Sequence, residues 1–350
     1  MRRIGSVPGP SSTWRLLLVV SSIAIVGCAS VAPLPEHYEA PEVLPVEIAN
    51  RFCYVAAPMA ETITLEDERD SYRIFSASIE PGRQGFEDDS PVTFEYYEQE
   101  SKHPAPVIIV LPILNGQKHV VRPFATYFAD NGYAVVIVDN VQRRTLLEDL
   151  INPEPAIQLT IMRHRRILDW IELQPGLDIN RVGVFGASLG GFNALFLAAT
   201  DDRIRAVAAA LVGGDLPHVL TQSNERRIEE AVGRAKDTLS LDDEGMETYL
   251  RQHIQTDPMS LAPYINAQQM LMVMAKFDSA VPFENQEALR AAIGDPEAIT
   301  LPTGHTTAAA YLFYLRTKML EFFDLKLSDE SGFARTVSLP PQKCRVIASE

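Results

Sequence analysis

From residue 107 onward the chain alternates short apolar runs with longer amphipathic stretches. The apolar runs at 107–111, 133–138, 181–185, 205–211, 271–276 and 298–301 are too short for helices and read as buried strands. Between them, helical periodicity predicts helices over 119–131, 156–173, 189–199, 284–293 and 306–325, with Asn131-Gly132 and Pro175-Gly176 where two of them should stop. Strands that are apolar on both faces need cover on both sides, so the pattern predicts a mostly parallel sheet with helices on both faces. Upstream, 72–75 and 92–97 alternate as early antiparallel strands joined across a Pro81-Gly82 turn. One segment, 213–262, breaks the alternation: two charged helical stretches, 225–236 and 243–255, follow each other with no strand between. It reads either as a helical cap over the strand ends or as surface helices packed sideways.

The first residues follow another rule. Arg2, Arg3 and Arg15 precede an apolar run at 16–26 that is too short to span a bilayer and has the length of the apolar core of a secretory leader. The tetrapeptide that follows, Ile25-Val26-Gly27-Cys28, resembles the lipobox of bacterial lipoproteins, in which the cysteine is acylated and becomes the new N-terminus. An ordinary signal peptide or an uncleaved anchor are the other readings. Ala29, rather than Asp, follows the cysteine; by the same resemblance this favours the outer membrane, facing the periplasm. The division expected is a signal peptide at 1–27, a proline-rich tether at 28–60 (Pro33, Pro35, Pro41, Pro45, Pro58), and one domain at 61–350. Cys53 and Cys344 remain as a pair, for which an oxidising compartment favours a disulfide over two free thiols.

Composition adds exclusions. With 350 residues, 46% of them hydrophobic and 22% charged, the chain is globular. A formal charge of −15 repels a phosphate backbone, which argues against a nucleic-acid partner. The seven histidines are scattered and no Cys or His pairs stand at ligand spacing, so neither a metal nor a cofactor is expected.

The chemistry concentrates where the run at 181–185 meets Gly186-Ala187-Ser188-Leu189-Gly190 and a helix of small residues follows. Glycines two residues either side of the serine suit a turn so tight that a Cβ would strike neighbouring backbone, and the turn presents the hydroxyl at a helix N-terminus, where N–H groups favour developing negative charge. The five-residue pattern alone arises by chance on the order of once in ten such chains. Its strand-turn-helix context is what carries weight.

With that context the chain resembles the α/β-hydrolase superfamily over about 107–325, in particular its esterase and dienelactone-hydrolase-like cores. The resemblance implies a chain order of nucleophile, acid, histidine. Asp278, in Phe277-Asp278-Ser279-Ala280-Val281-Pro282, looks like the acid, and His305, in Pro302-Thr303-Gly304-His305, looks like the histidine. Each follows a predicted strand at its C-terminal end, where open α/β sheets bind ligands. A capping role for Asp278 and a plain turn role for His305 are the bland alternatives, with His218, His253 and Asp215 as rivals. The mechanism implied is attack by Ser188, with His305 as base and Asp278 orienting it. One oxyanion donor would be the Leu189 N–H, and the other would come from Ile113 or Leu114, because this chain has Pro112-Ile113-Leu114-Asn115-Gly116 where many family members carry His-Gly. The expected substrate is a small-molecule or lipid carboxylic ester. Peptide hydrolysis, acyl transfer to another alcohol, and a non-catalytic envelope lipoprotein are the alternatives.

Overall fold

Strands apolar on both faces form the centre of a ten-stranded sheet, in the order β1-β10-β9-β8-β7-β5-β6-β4-β3-β2. The structure is a computed structural model that describes residues 29–37, 39–54, 59–80, 90–114, 116, 118–139 and 146–328. The parallel core comprises β5 (Ala105–Leu111), β6 (Ala134–Val138), β7 (Leu177–Ala187), β8 (Ile204–Ala210), β9 (Met270–Ala275) and β10 (Glu297–Leu301). Antiparallel strands β4 (Val92–Gln99), β3 (Tyr72–Ile79) and β2 (Glu61–Glu68) extend it on the β6 side. All six parallel strands fall where the apolar runs predicted them.

Helices α1 (Lys118–Asp130) and α8 (Leu312–Lys326) cover one face through Phe124, Phe128, Met319 and Phe323. The other face is covered by α2 (Pro153–Leu173), α3 (Leu189–Thr200) and α7 (Phe283–Ile293), through residues such as Ile157, Ile161, Leu195 and Leu289. The chain winds from β5 out to β6 over α1, then returns to β7 and winds the other way over α3. The C-terminal ends of β5 and β7 therefore flank the switch point, where connections depart to opposite faces and leave a crevice.

Two buried groups lock α2 in place. Trp170 sits edge-on to Phe94 and Tyr96, with centroids at 4.7 and 5.1 Å, and its indole N–H donates to Glu61 at 2.6 Å. Asp201, just past α3, accepts from Arg165 at 3.1 Å and from Arg203 at 2.7 Å. Buried charges persist only when paired in this way.

The expectation of an extended tether over 28–60 is corrected for the described part of that segment. β1 (Ser30–Ala32) pairs antiparallel with β10, Glu42 N–H donates to the Pro263 carbonyl at 2.9 Å, and Phe52 is fully buried with its carbonyl held by Arg165 at 2.9 Å. The edge of β10 offers unpaired backbone groups and Phe52 offers apolar area, so the described residues with Pro33, Pro35, Pro41 and Pro45 form a docked strap rather than a free linker. β2 was not foreseen, because all eight of its residues are exposed and half are acidic, leaving no buried face to betray it. Cys28, Cys344 and the Pro81-Gly82 turn lie outside the described residues; Cys53 follows the 3₁₀ turn Asn50–Phe52.

Segment 213–262 forms α4 (Leu216–Gln222), α5 (Arg226–Leu239), α6 (Asp243–His253) and a single turn at Pro258–Leu261. Asp215, Glu225, Asp242 and Asp257 cap these pieces through their side chains. Ala231, Val232, Met246 and Leu250 turn inward to the main core, and Leu216, Val219 and Ile228 line the cavity described next.

Candidate active site

Ser188 stands between the last residue of β7 and the first of α3, with φ 53° and ψ −124°. A non-glycine residue in this region carries backbone strain of about 1–3 kcal/mol. Surrounding bonds hold it there: Ser188 N–H donates to the Ala210 carbonyl at 2.8 Å, and the Ser188 carbonyl accepts from Phe192 N–H at 3.0 Å. The flanking glycines are required by space. A Cβ on Gly186 would overlap the Gly190 backbone, and one on Gly190 would overlap the Leu111 carbonyl of β5.

Asp278 follows β9 and His305 follows β10, so the ends of three parallel strands deliver the three side chains. The Ser188 hydroxyl lies 3.0 Å from His305 Nε2, and His305 Nδ1 lies 2.7 Å from Asp278 Oδ2. The carboxylate is buried. Its Oδ1 accepts from the N–H groups of Ala280 and Val281, both at 2.9 Å, closing a turn in the acid loop, while the helix that follows has Pro282 at its N-cap and no side-chain cap bond. The histidine loop is tied to the acid loop by Phe277 N–H donating to the Thr303 carbonyl at 2.9 Å, and Gly304 N–H donates to Thr307 at 2.9 Å. An imidazole so placed can take a proton from the serine while the carboxylate fixes its tautomer.

Leu189, Ile113 and Leu114 line the same cavity as Ser188 and His305, with Leu189 opening α3. Asn115 of that loop lies outside the described residues. The rivals are engaged elsewhere. His218 Nδ1 stands 3.4 Å from Glu247, His253 stacks on Tyr249 and meets its carbonyl at 2.7 Å, and Asp215 pairs with Arg251 at 2.7 Å while capping α4.

Sequence reasoning missed two side chains. Gln286, fully buried on α7, accepts from Ala275 N–H at 3.0 Å and donates to the Val281 carbonyl at 2.7 Å and to Asp278 Oδ2 at 3.4 Å, bracing the acid loop at both ends. An amide on the buried face of an otherwise ordinary helix was its only signal. His164, on α2, lines the cavity, is 4% exposed, and has an Nδ1 with no hydrogen-bond partner among the described residues. Burial, helped by neighbouring Arg163, pushes its pKa down to about 3, so it stays neutral.

The cavity has a volume of about 1170 Å³. It reaches from Ser188 along α3 past Phe192 to Phe196, roughly 12 Å by helical rise. Among the described residues no cluster of His, Cys, Asp or Glu stands where it could hold a metal ion.

Comparison with known proteins agrees with this architecture. Residues 94–232 match the model of the dienelactone hydrolase family, a span that contains Ser188 and stops short of Asp278 and His305. An acetyl xylan esterase from Paenibacillus sp. R4 superposes with a TM-score of 0.62 at 18% identity, covering 80% of this chain and 91% of its own. Acetyl xylan esterase 1 from Thermoanaerobacterium sp. JW/SL YS485 does so with a TM-score of 0.62 at 18% identity, covering 83% and 95%. The chain has the α/β-hydrolase fold. Among curated proteins, an uncharacterized 31.7 kDa protein of the traX-finO intergenic region of Escherichia coli is 29% identical over 131 residues, which are 35% of this chain. The match spans 42% of that relative's length.

Proposed function

We propose that the protein is a serine hydrolase that cleaves a carboxylic ester through an acyl-enzyme on Ser188. The observation that carries this reading is the unbroken row from the Ser188 hydroxyl through the His305 imidazole to the buried Asp278 carboxylate, at 3.0 and 2.7 Å. Ser188 Oγ attacks the ester carbonyl carbon while its proton passes to His305 Nε2. The resulting oxyanion is met by the N–H of Leu189 and by a donor from the loop bearing Ile113 and Leu114. Collapse of the intermediate expels the alcohol, which takes the proton from His305. Water then repeats the sequence and frees the acid. Asp278 holds the imidazole in orientation and stabilises the imidazolium.

A fluorophosphonate probe should label the purified chain and fail on Ser188→Ala; a well-folded wild type that resists labelling overturns the reading. Hydrolysis of p-nitrophenyl esters but not of aminoacyl anilides separates esterase from peptidase.

The same reading includes an envelope location. The leader and the Ile25-Val26-Gly27-Cys28 lipobox support lipidation at Cys28 and residence at the outer membrane, facing the periplasm, and that compartment favours a Cys53–Cys344 disulfide. A Cys28→Ala chain should leave the membrane fraction. Persistent attachment would remove lipidation from the account, and identical mobility with and without reductant would remove the disulfide.

A further inference from the structure

The strap strand β1 fixes where the chain enters the domain. It runs against β10, with Ser30 opposite Thr300 and Ala32 opposite Ala298, so entry is from the end of the sheet at which β10 delivers Leu301 and then His305. Cys28 precedes Ser30 by two residues in the sequence. An acyl group on Cys28 would therefore enter the bilayer beside the histidine loop, with no spacer to lift the domain away.

The surface at this corner suits such a neighbour. Val31, Phe277 and Phe313 are 52%, 65% and 70% exposed, from β1, the acid loop and the first turn of α8 respectively. Leading from the histidine loop to α8, Pro302, Thr306, Thr307, Ala309 and Ala310 are also exposed and all uncharged. In a chain of net charge −15, residues 298–320 contain no Asp or Glu and carry Arg316, while Lys318 is paired with Glu321 at 2.7 Å. The Arg316 guanidinium lies 4.5 Å from the centroid of the Phe313 ring, so cation and aromatic share one surface. A guanidinium lying over an exposed aromatic ring is what an anionic headgroup layer accepts.

We propose that this corner, formed by Val31, Phe277, Phe313 and the carboxylate-free stretch 298–320, rests on the lipid bilayer, so that the cavity at Ser188 takes esters partitioned in the membrane. The inference rests on the ester-hydrolase and lipid-anchor readings above and adds to them an orientation and a substrate class. The cavity fits that class: its walls include Phe192, Phe196, Leu216, Val219 and Leu220, which suit an apolar acyl or alkyl chain.

The orientation is tested without reference to catalysis. The full chain, reconstituted in phosphatidylethanolamine–phosphatidylglycerol vesicles containing brominated phospholipid, is compared as Phe313→Trp and as Ile63→Trp, the latter on the opposite edge of the sheet. Emission added at position 313 should be quenched by about twofold or more, because a residue seated in the interface lies within reach of the acyl region, and that at position 63 should not. An unquenched position 313, or equal quenching at both, overturns the proposal. In the same vesicles, Val31→Ser with Phe313→Ser should lower kcat/KM on a long-chain 4-methylumbelliferyl ester by about tenfold or more while leaving a soluble acetate ester within about twofold. An equal loss on both substrates, or no loss on either, counts against it. Failure of the anchor appears separately, as Cys28→Ala staying in the membrane, and failure of the hydrolase reading as a wild type that takes up no fluorophosphonate.

Discussion

The bare Cα of Gly190 packs against the carbonyl of Leu111, leaving no room for a methyl group between the start of α3 and the end of β5. This approach holds Ser188 and the loop of Ile113 and Leu114 on either side of one crevice. Gly190→Ala must push the two apart. The expected result is a loss of about 100-fold or more in kcat, with about 1–3 kcal/mol of destabilisation from overpacking. Steady-state kinetics and thermal unfolding check it, and near-normal kcat would show that the approach is not needed.

Ser188 carries the opposite relation between activity and stability. Its backbone sits at positive φ, where glycine suffers no Cβ penalty. Ser188→Gly should abolish ester hydrolysis and yet raise stability by about 1 kcal/mol through relief of strain. Denaturant unfolding reads the second half of this expectation; a destabilised variant would mean that the hydroxyl's bond to His305 outweighs the strain.

Asp278 and Gln286 separate charge from position. Asp278→Asn keeps the shape but not the carboxylate, and kcat should fall by about 1,000- to 10,000-fold with KM little changed. Gln286→Leu leaves Ala275 N–H and the Val281 carbonyl without their present partners. It should cost about 1–3 kcal/mol of stability and lower kcat less than Asp278→Asn does. Equal kinetic losses would place Gln286 closer to the chemistry than its contacts indicate.

The fold was legible in the sequence wherever burial imposes a pattern. Strands β5 to β10 are apolar on both faces, and their runs could hardly be read otherwise. Ser188 was marked by its flanking glycines, and Asp278 and His305 by the chain order that the resemblance implies; each lies just past a strand end. Three features had no such signature. β2 is paired on one side and wet on both faces, so its residues obey solvent rather than a core. β1 is three residues long, and its pairing partner lies at the far end of the chain. His164 and Gln286 belong to helices whose periodicity is satisfied by their apolar neighbours, and only a three-dimensional arrangement shows what a lone polar group on the buried face does.

His164 makes stability depend on acidity. Its folded pKa is lowered from 6.5 to about 3 by burial, so in the window between those values the unfolded chain binds the proton and the folded chain does not. Stability from this group is thus complete above pH 6.5 and declines as pH falls toward 3, by about 1.4 kcal/mol per unit. His164→Phe should flatten the acid side of the stability profile in that window. Identical slopes in denaturant titrations at several pH values would contradict the assignment.

Asp201 should matter for folding alone. Its carboxylate is 1% exposed and holds both Arg165 and Arg203 near the C-terminal end of α3, away from Ser188. Asp201→Ala leaves two buried guanidinium groups without this partner, at a cost of about 3–5 kcal/mol. The kcat of whatever remains folded should be unchanged, and a kinetic defect in folded protein would tie the cluster to the site.

β1 and β2 give the sheet two very different margins. On one side β1 occupies the hydrogen-bonding row of β10. On the other, β2 stands open but carries Glu61, Glu66, Asp67 and Glu68 and is interrupted by a bulge between Leu65 and Asp67. A foreign strand approaching that open row meets clustered negative charge and a broken register. Molecules at high local concentration can therefore sit side by side without zipping into fibres.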